Sequence, residues 1–199
     1  MGATGIVLAG GRSTRFGGDK LAAIYRGVPL LHHPVLRLGE VCSEVIVVLA
    51  SDQPEPSMPV GSATSFVRDA RDGEGPLAGL SRGLDATSTE LAFVAGGDMP
   101  ELSTAVLLEM LRVAGEAPVD AVALQDGERF GPLPGLIRVE PARDAAHALL
   151  HGGDRSLRSL LSALRIAVID EPTWTASDPS RRTLFDVDIP DDLGNGGGE

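Results

Sequence analysis

The stretch TGIVLAGGRSTRFGGDK, Thr4 to Lys20, passes within a few residues from continuously apolar to glycine-rich and basic. Thr4 to Ala9 reads as a short buried strand, and Gly10 to Lys20 as the polar loop that leaves it. In open α/β sheets, ligands bind beyond the carboxyl ends of the strands. Glycines in such a loop let backbone N–H groups approach a phosphate without a Cβ in the way. Arg12, Arg15 and Lys20 bring positive charge to the same loop, the guanidinium groups with bidentate geometry. A flexible turn with solvated charges is the plainer alternative. The clustering of glycines, arginines and a lysine directly after the first strand favours a phosphate site. Neither well-known phosphate loop is present. Gly18 and Asp19 intervene before Lys20 and Leu21 follows it, which breaks the P-loop pattern, and the adjacent Gly10 and Gly11 break the dinucleotide fingerprint.

Outward from that loop, buried strands alternate with helices. Strands are expected at Glu44–Leu49, Ser65–Arg68, Leu91–Ala95, Ala121–Leu124 and Arg165–Ile169. Helices are expected over Val28–Leu38, with Leu31, Val35 and Leu38 on one face, from Pro76 to Leu84, over Ser103–Val113 with Ser103 as cap, and over Pro141–Leu150 and Ser156–Leu164. Pro54, Pro56 and Pro59 make residues 51–65 a loop, and Phe130 to Val139 is an apolar run holding two prolines. The pattern predicts one α/β domain over residues 1–193, a mostly parallel sheet flanked by helices, followed by a glycine-rich tail at 194–199 expected to be disordered.

Composition narrows the function. With 199 residues, 43% of them hydrophobic, the chain can bury roughly 70% of its unfolded surface and needs no staple to fold. A single cysteine, Cys42, among apolar neighbours allows neither an intrachain disulfide nor a thiolate cage, and fits a reducing cytoplasm. The formal net charge of −11 argues against a nucleic-acid surface, so a phosphate-bearing ligand must be met locally. No apolar stretch approaches the ~20 residues of a membrane span, and no signal peptide is expected.

Asp98 follows LAFVAGG and precedes Met99-Pro100. A carboxylate at the end of a buried strand can hold magnesium, which takes one or two carboxylates together with phosphate oxygens and water. The competing role is a cap for a helix beginning near Pro100. Asp186, Asp188, Asp191 and Asp192 cluster in FDVDIPDDL, and alternation along an extended segment turns Asp186 and Asp188 the same way. An acidic solvated terminus is the equal alternative. Asp69 and Asp72, in RDARDGEGPLAGL, border a second candidate ligand turn. His32, His33, His147 and His151 have no metal-ligand spacing, and Ser156 and Ser159 lack a nucleophile motif.

These motifs together resemble the molybdenum cofactor guanylyltransferases, nucleotidyltransferases with a Rossmann-like fold. Leu8-Ala9-Gly10-Gly11, Arg15-Phe16-Gly17 and Asp19-Lys20 match the signature loop of that family. Gly27-Val28-Pro29-Leu30 is similar to its G-x-P-L step, and Gly75-Pro76-Leu77-Ala78-Gly79 to its GPLAG turn. Gly97-Asp98-Met99-Pro100 is similar to its Asp-x-Pro magnesium motif, and Phe185–Leu193 stands in place of its late segment. The matches keep the family order from residue 5 to 193.

The resemblance implies that Leu8, Ala9, Gly10, Gly11 and the turn Pro76, Leu77, Ala78 and Gly79 contact the nucleotide, with Asp69 on the nucleoside and Ser51 near the base. It implies that Lys20, with Arg15, holds triphosphate, that Asp98 binds both the nucleotide and Mg²⁺, with Asp188 as a second candidate ligand, and that Asp186 and Asp188 meet the acceptor. The implied substrates are GTP and molybdopterin already carrying molybdenum, and the implied partners are transient contacts with molybdenum cofactor enzymes or insertion factors. The late segment departs from the family: Asp186 and Asp188 replace the usual asparagines and Ile189 the threonine. An Asp-x-Asp is more like the related cytidylyltransferases, but those usually carry LAAG and often lack the aspartate before the lysine. GTP is therefore expected over CTP. The alternatives are CTP, another phosphorylated acceptor, or a nucleotide-binding protein without turnover.

Overall fold

The computed structural model describes residues 2–10, 16, 19–69 and 75–196. Its strands are β1 (Ala3–Leu8), β2 (Ile24–Tyr25), β3 (Val28–Pro29), β4 (Glu44–Leu49), β5 (Thr64–Arg68), β6 (Leu91–Gly96), β7 (Ala121–Asp126), β8 (Arg129–Arg138) and β9 (Ile166–Ile169). Its α-helices are α1 (His32–Gly39), α2 (Pro76–Ala86), α3 (Thr104–Glu116), α4 (Val139–His151), α5 (Leu157–Ala163) and α6 (Glu171–Ser177). Seven strands form one sheet in the order β5-β4-β1-β6-β8-β7-β9, and β2 pairs separately with β3. β5, β4, β1 and β6 run parallel. β8 is antiparallel to both β6 and β7, and β9 is parallel to β7, so β8 alone runs against the rest of the sheet. The expected α/β fold with a mostly parallel sheet is present.

Alternate side chains along the strands feed two cores. Val7, Val47, Phe93 and Ala95 join Val35, Leu38, Leu107, Met110 and Trp174 on one face. Ile6, Val48, Ala92 and Val94 join Leu77, Leu80, Leu84, Ala142 and Leu160 on the other. Each large apolar side chain taken fully out of water contributes about 1.5–3 kcal/mol, which is why continuously apolar strands such as EVIVVL belong at the centre of the sheet. Helix α2 lies so close on β1 that a Cβ on Gly83 would stand 2.7 Å from Ile6 Cγ2. The chain leaves β1 toward β4 and β5, then returns to place β6 on the other flank of β1. That reversal opens a crevice beyond the carboxyl ends of β1 and β6.

Several expectations need correction. The helix expected from Val28 begins at His32; Val28–Pro29 pairs instead with Ile24–Tyr25 across Arg26 (φ 46°) and Gly27 (φ 87°). Two successive positive φ angles define the tight hairpin turn, and Arg-Gly is not its usual sequence signal. The proline-containing run at 130–139 is most of β8, whose register against β7 shifts between Ala123 and Gln125. Its prolines precede Gly135, where pairing with β6 ends, so no central ladder bond is lost. Helix α6 was not anticipated; Asp170 caps it by accepting from the Thr173 N–H. Ser103 occupies the cap position of α3, but its side chain makes no capping bond; its N–H donates to Thr183 Oγ1 at 3.1 Å. Residues Pro190–Gly196 form a 3-10 segment that includes the start of the expected tail, and 197–199 lie outside the described residues. No helix of the described residues is long and apolar enough to cross a membrane.

Candidate active site

Two glycines explain how Asp98 reaches the crevice. A Cβ on Gly96 would lie 2.4 Å from Asp98 Oδ1, and one on Gly97 would lie 3.2 Å from both Leu21 and Leu31. A side chain at Gly96 would displace the Asp98 carboxylate, and one at Gly97 would press on Leu21 and Leu31. The Gly97 N–H donates to the Leu8 carbonyl at 2.9 Å, which ties this turn to the end of β1. Helix α3 starts only at Thr104, so Asp98 is not its cap.

Asp98 Oδ2 instead accepts from Lys20 Nζ at 2.8 Å. The Lys20 ammonium is also 3.5 Å from Asp188 Oδ1. Lys20 is 8% exposed and opens a 3-10 turn, Lys20–Ala22, capped by Asp19, whose carboxylate accepts from the Leu21 and Ala22 N–H groups. The Asp-Lys pair thus divides its work: the aspartate shapes the turn and the lysine enters the crevice. The Val187 N–H donates to the Asp98 carbonyl at 3.0 Å, and the fully buried Val187 side chain packs with Tyr25 and Leu30. Asp186 and Asp188 flank that anchor. The Asp186 carboxyl is pushed up by desolvation, then by the charges of Asp188 and Asp98. Asp192 turns away to accept from the Asp188 and Ile189 N–H groups, so it shapes the segment.

A second group lies along the edge of β1 and β4. Ala9 N–H donates to the Val48 carbonyl, and Gly10 is so close to β4 that a Cβ would stand 3.1 Å from the Ala50 nitrogen. The position of a Cβ on Gly79 falls within 4.0 Å of Val48, Leu8 and Asp69 Oδ2, so these residues converge. Asp69 is held by its N–H to the Leu49 carbonyl at 2.9 Å. Gly75 (φ 85°) precedes α2, Pro76 is exposed, and Leu77 and Ala78 are buried, with the Leu77 N–H directed at the Arg155 carbonyl. Ser51 is exposed in the turn after β4. Gly11, Arg12, Arg15 and Asp72 lie outside the described residues.

The remaining candidates fall elsewhere. His32 and His33 contact the Ser57 and Tyr25 carbonyls, and His147 pairs with Asp85. Ser156 caps α5. Burial pushes the Cys42 thiol up to about 12, leaving it protonated at neutral pH. Residues that sequence reasoning overlooked are Tyr25, Glu101 and Arg182, which meet beside the Asp98 turn. The only forewarning was an acidic residue three positions after Asp98.

The crevice therefore has one end near Leu8, Asp69 and Gly79, and a charged end where, among the described residues, the Lys20 ammonium meets Asp98 and Asp188 with Asp186 beside them. Among the described residues the charged end offers hard oxygen donors and more negative than positive charge, chemistry that suits a divalent cation shared with phosphate. Among the described residues no cluster of three or more side chains is set to hold a metal unaided. Such an ion would rely on one or two carboxylates and on the ligand's own oxygens.

The architecture is Rossmann-like, with its crevice beyond the carboxyl ends of the parallel strands. Residues 5–168 match the model of the MobA-like NTP transferase domain, and the chain belongs to that family. A relative in Chloroflexus aggregans, described as a probable molybdenum cofactor guanylyltransferase, is 33% identical over 195 residues, 96% of this chain and 91% of its own. Among solved structures, molybdopterin-guanine dinucleotide biosynthesis protein A from Archaeoglobus fulgidus superposes with a TM-score of 0.75 at 22% identity, covering 97% of this chain and 96% of its own. The 2-C-methyl-D-erythritol 4-phosphate cytidylyltransferase of Thermus thermophilus shares the fold at a TM-score of 0.71 and 19% identity, covering 98% and 97%.

Proposed function

We propose that this nucleotidyltransferase transfers GMP from GTP to the terminal phosphate of a molybdopterin-type cofactor in the cytoplasm, with Mg²⁺ and release of pyrophosphate. The observation that carries the reading is the convergence of Lys20, Asp98 and Asp188 at one end of the crevice, with Leu8, Asp69 and Gly79 at the other. In this reading the second group receives the nucleoside and Lys20, with Arg15, the triphosphate. Asp98 holds the cation, joined by Asp188, and Asp186 and Asp188 face the acceptor. The cation, when bound, neutralises charge across the phosphates. An acceptor phosphate oxygen bonds to the α-phosphorus as the bond to the β-phosphate oxygen breaks. The protein contributes alignment and charge stabilisation rather than a covalent intermediate. Lys20 must exchange its carboxylate partners for phosphate oxygens as the nucleotide enters. The names of the relatives support GTP and the cofactor, and transient contact with molybdenum enzymes or insertion factors follows from that product.

A second reading, with CTP, is favoured by Asp186 and Asp188, which stand where guanylyltransferases usually carry asparagines. Competitive turnover with equimolar GTP and CTP tests the choice. GTP should be used faster, because a site built for guanine leaves polar groups unpaired with another base. Faster use of CTP overturns the assignment.

A further inference from the structure

Three segments far apart in sequence meet at Glu101, three residues beyond Asp98. Its carboxylate accepts from Tyr25 Oη and from the Arg182 guanidinium, and Arg26 stands 3.3 Å away. Arg182 also donates to Tyr25 Oη at 3.1 Å and lies over the Phe185 ring, 4.1 Å from its centroid. Tyr25 is fully buried in the hairpin that follows the Lys20 turn. Burial would raise the Glu101 carboxyl, but hydrogen bonds from Arg182 and Tyr25 outweigh it and hold the group below its ordinary value. Further ties fasten the same late segment. Thr183, fully buried, accepts from the Ser103 N–H and gives its own N–H to Asp178 at 2.7 Å.

We infer that Glu101 and Arg182 form a positioning clamp that sets where Asp186 and Asp188 stand relative to Lys20 and Asp98. Neither clamp residue touches the crevice group. Both act through the backbone of Phe185–Asp188, which is fastened at Arg182 by the clamp and at Val187 by its bond to the Asp98 carbonyl. Asp188 is 60% exposed, so apart from the Asp192 carboxylate that accepts from its N–H, its distance to Lys20 depends on these two fastenings. The same carboxylate that receives Arg182 receives Tyr25, so the Lys20 side of the crevice is set from the same point.

The inference rests on the assignment of Asp188 to the site, and the test separates the two. Arg182→Ala, Arg182→Lys and Asp188→Asn are compared with the parent in turnover, nucleotide KM and amide exchange at Val187. Arg182→Ala should lower kcat about tenfold with nucleotide KM changed less than about threefold, the size of coupling found within one side-chain network. Val187 exchange should accelerate, and Arg182→Lys should recover much of both losses. Asp188→Asn should then cost far less in the Arg182→Ala background than in the parent. Equal costs in both backgrounds, or unchanged Val187 exchange, would overturn the clamp. If Asp188→Asn is silent in the parent, Asp188 leaves the site reading, and kcat with Val187 exchange still decides whether the clamp positions the segment. Should Arg182→Ala fail to fold, Glu101→Gln makes the same comparison while keeping the side-chain shape.

Discussion

Two ion pairs at opposite ends of the same sheet show how differently this chain uses charge. At the amino end, where β7 and β9 begin, the Asp120 carboxylate accepts from Arg165 through Nε at 2.8 Å, Nη2 at 2.7 Å and the backbone N–H at 3.1 Å. The Asp120 N–H returns the contact to the Arg165 carbonyl at 2.7 Å. These bonds hold the Asp120 carboxyl down to about 2. At the carboxyl end, Lys20 shares a single ammonium among carboxylates that outnumber it. The first pair is complete in itself and locks two strands in register. Among the described residues the second leaves carboxylates in excess, which is what the proposed cation and phosphate site calls for.

The comparison breaks most sharply at Asp98. Asp98→Asn keeps shape and an oxygen for Lys20 but loses charge. It should cut Mg²⁺-dependent pyrophosphate release about a thousandfold while leaving the melting temperature close to the parent's. Full activity at the same Mg²⁺ concentration removes the residue from metal binding, and a fall in melting temperature with turnover kept makes its role structural.

Lys20→Ala comes next. Triphosphate binding measured by titration calorimetry should weaken by about 1.5–3 kcal/mol, the range for hydrogen bonds to charged groups, with little effect on folding. Unchanged affinity would make Lys20 a mere counter-ion for Asp98.

The smallest effect belongs to the other end. Asp120→Asn should cost about 1 kcal/mol, discounted because the Arg165 side chain is well exposed to solvent, with kcat unchanged. Because the folded-state carboxyl is depressed, its contribution is present above the ordinary carboxylate range and is lost as pH falls from about 4 toward about 2. The melting-temperature gap between parent and variant should therefore close over that interval. A gap that persists to the lowest pH would mean the stabilisation is not ionic.

Much of the parallel half was legible because its strands are short and apolar, two of them running into glycine: the strands expected from Thr4, Glu44 and Leu91 are β1, β4 and β6. The hairpin around Arg26-Gly27 was not, since Arg at positive φ is held by its surroundings rather than by local preference. β8 hid behind Pro132 and Pro134, whose usual exclusion from strands does not apply beyond the end of β6. Alternation around Val187 led to the expectation that Asp186 and Asp188 share a face, and Val187 between them is fully buried. Nothing local could reveal that Glu101 reaches across to Arg182, a contact spanning 81 residues.

The reversed strand β8 has a consequence for how such a crevice can change. Its first residues, Arg129 to Pro134, run past the carboxyl end of β6 and turn back into β7 at Gly127. They follow the β8 flank of β6, across that strand from β1. Residues inserted at that turn would lengthen one bank of the crevice while the registers of β1, β4 and β6 stayed as they are. The opposite bank has less freedom, because a Cβ on Gly10 would stand 3.1 Å from the Ala50 nitrogen and one on Gly96 2.4 Å from Asp98 Oδ1. One bank is cast, and the other can be recut.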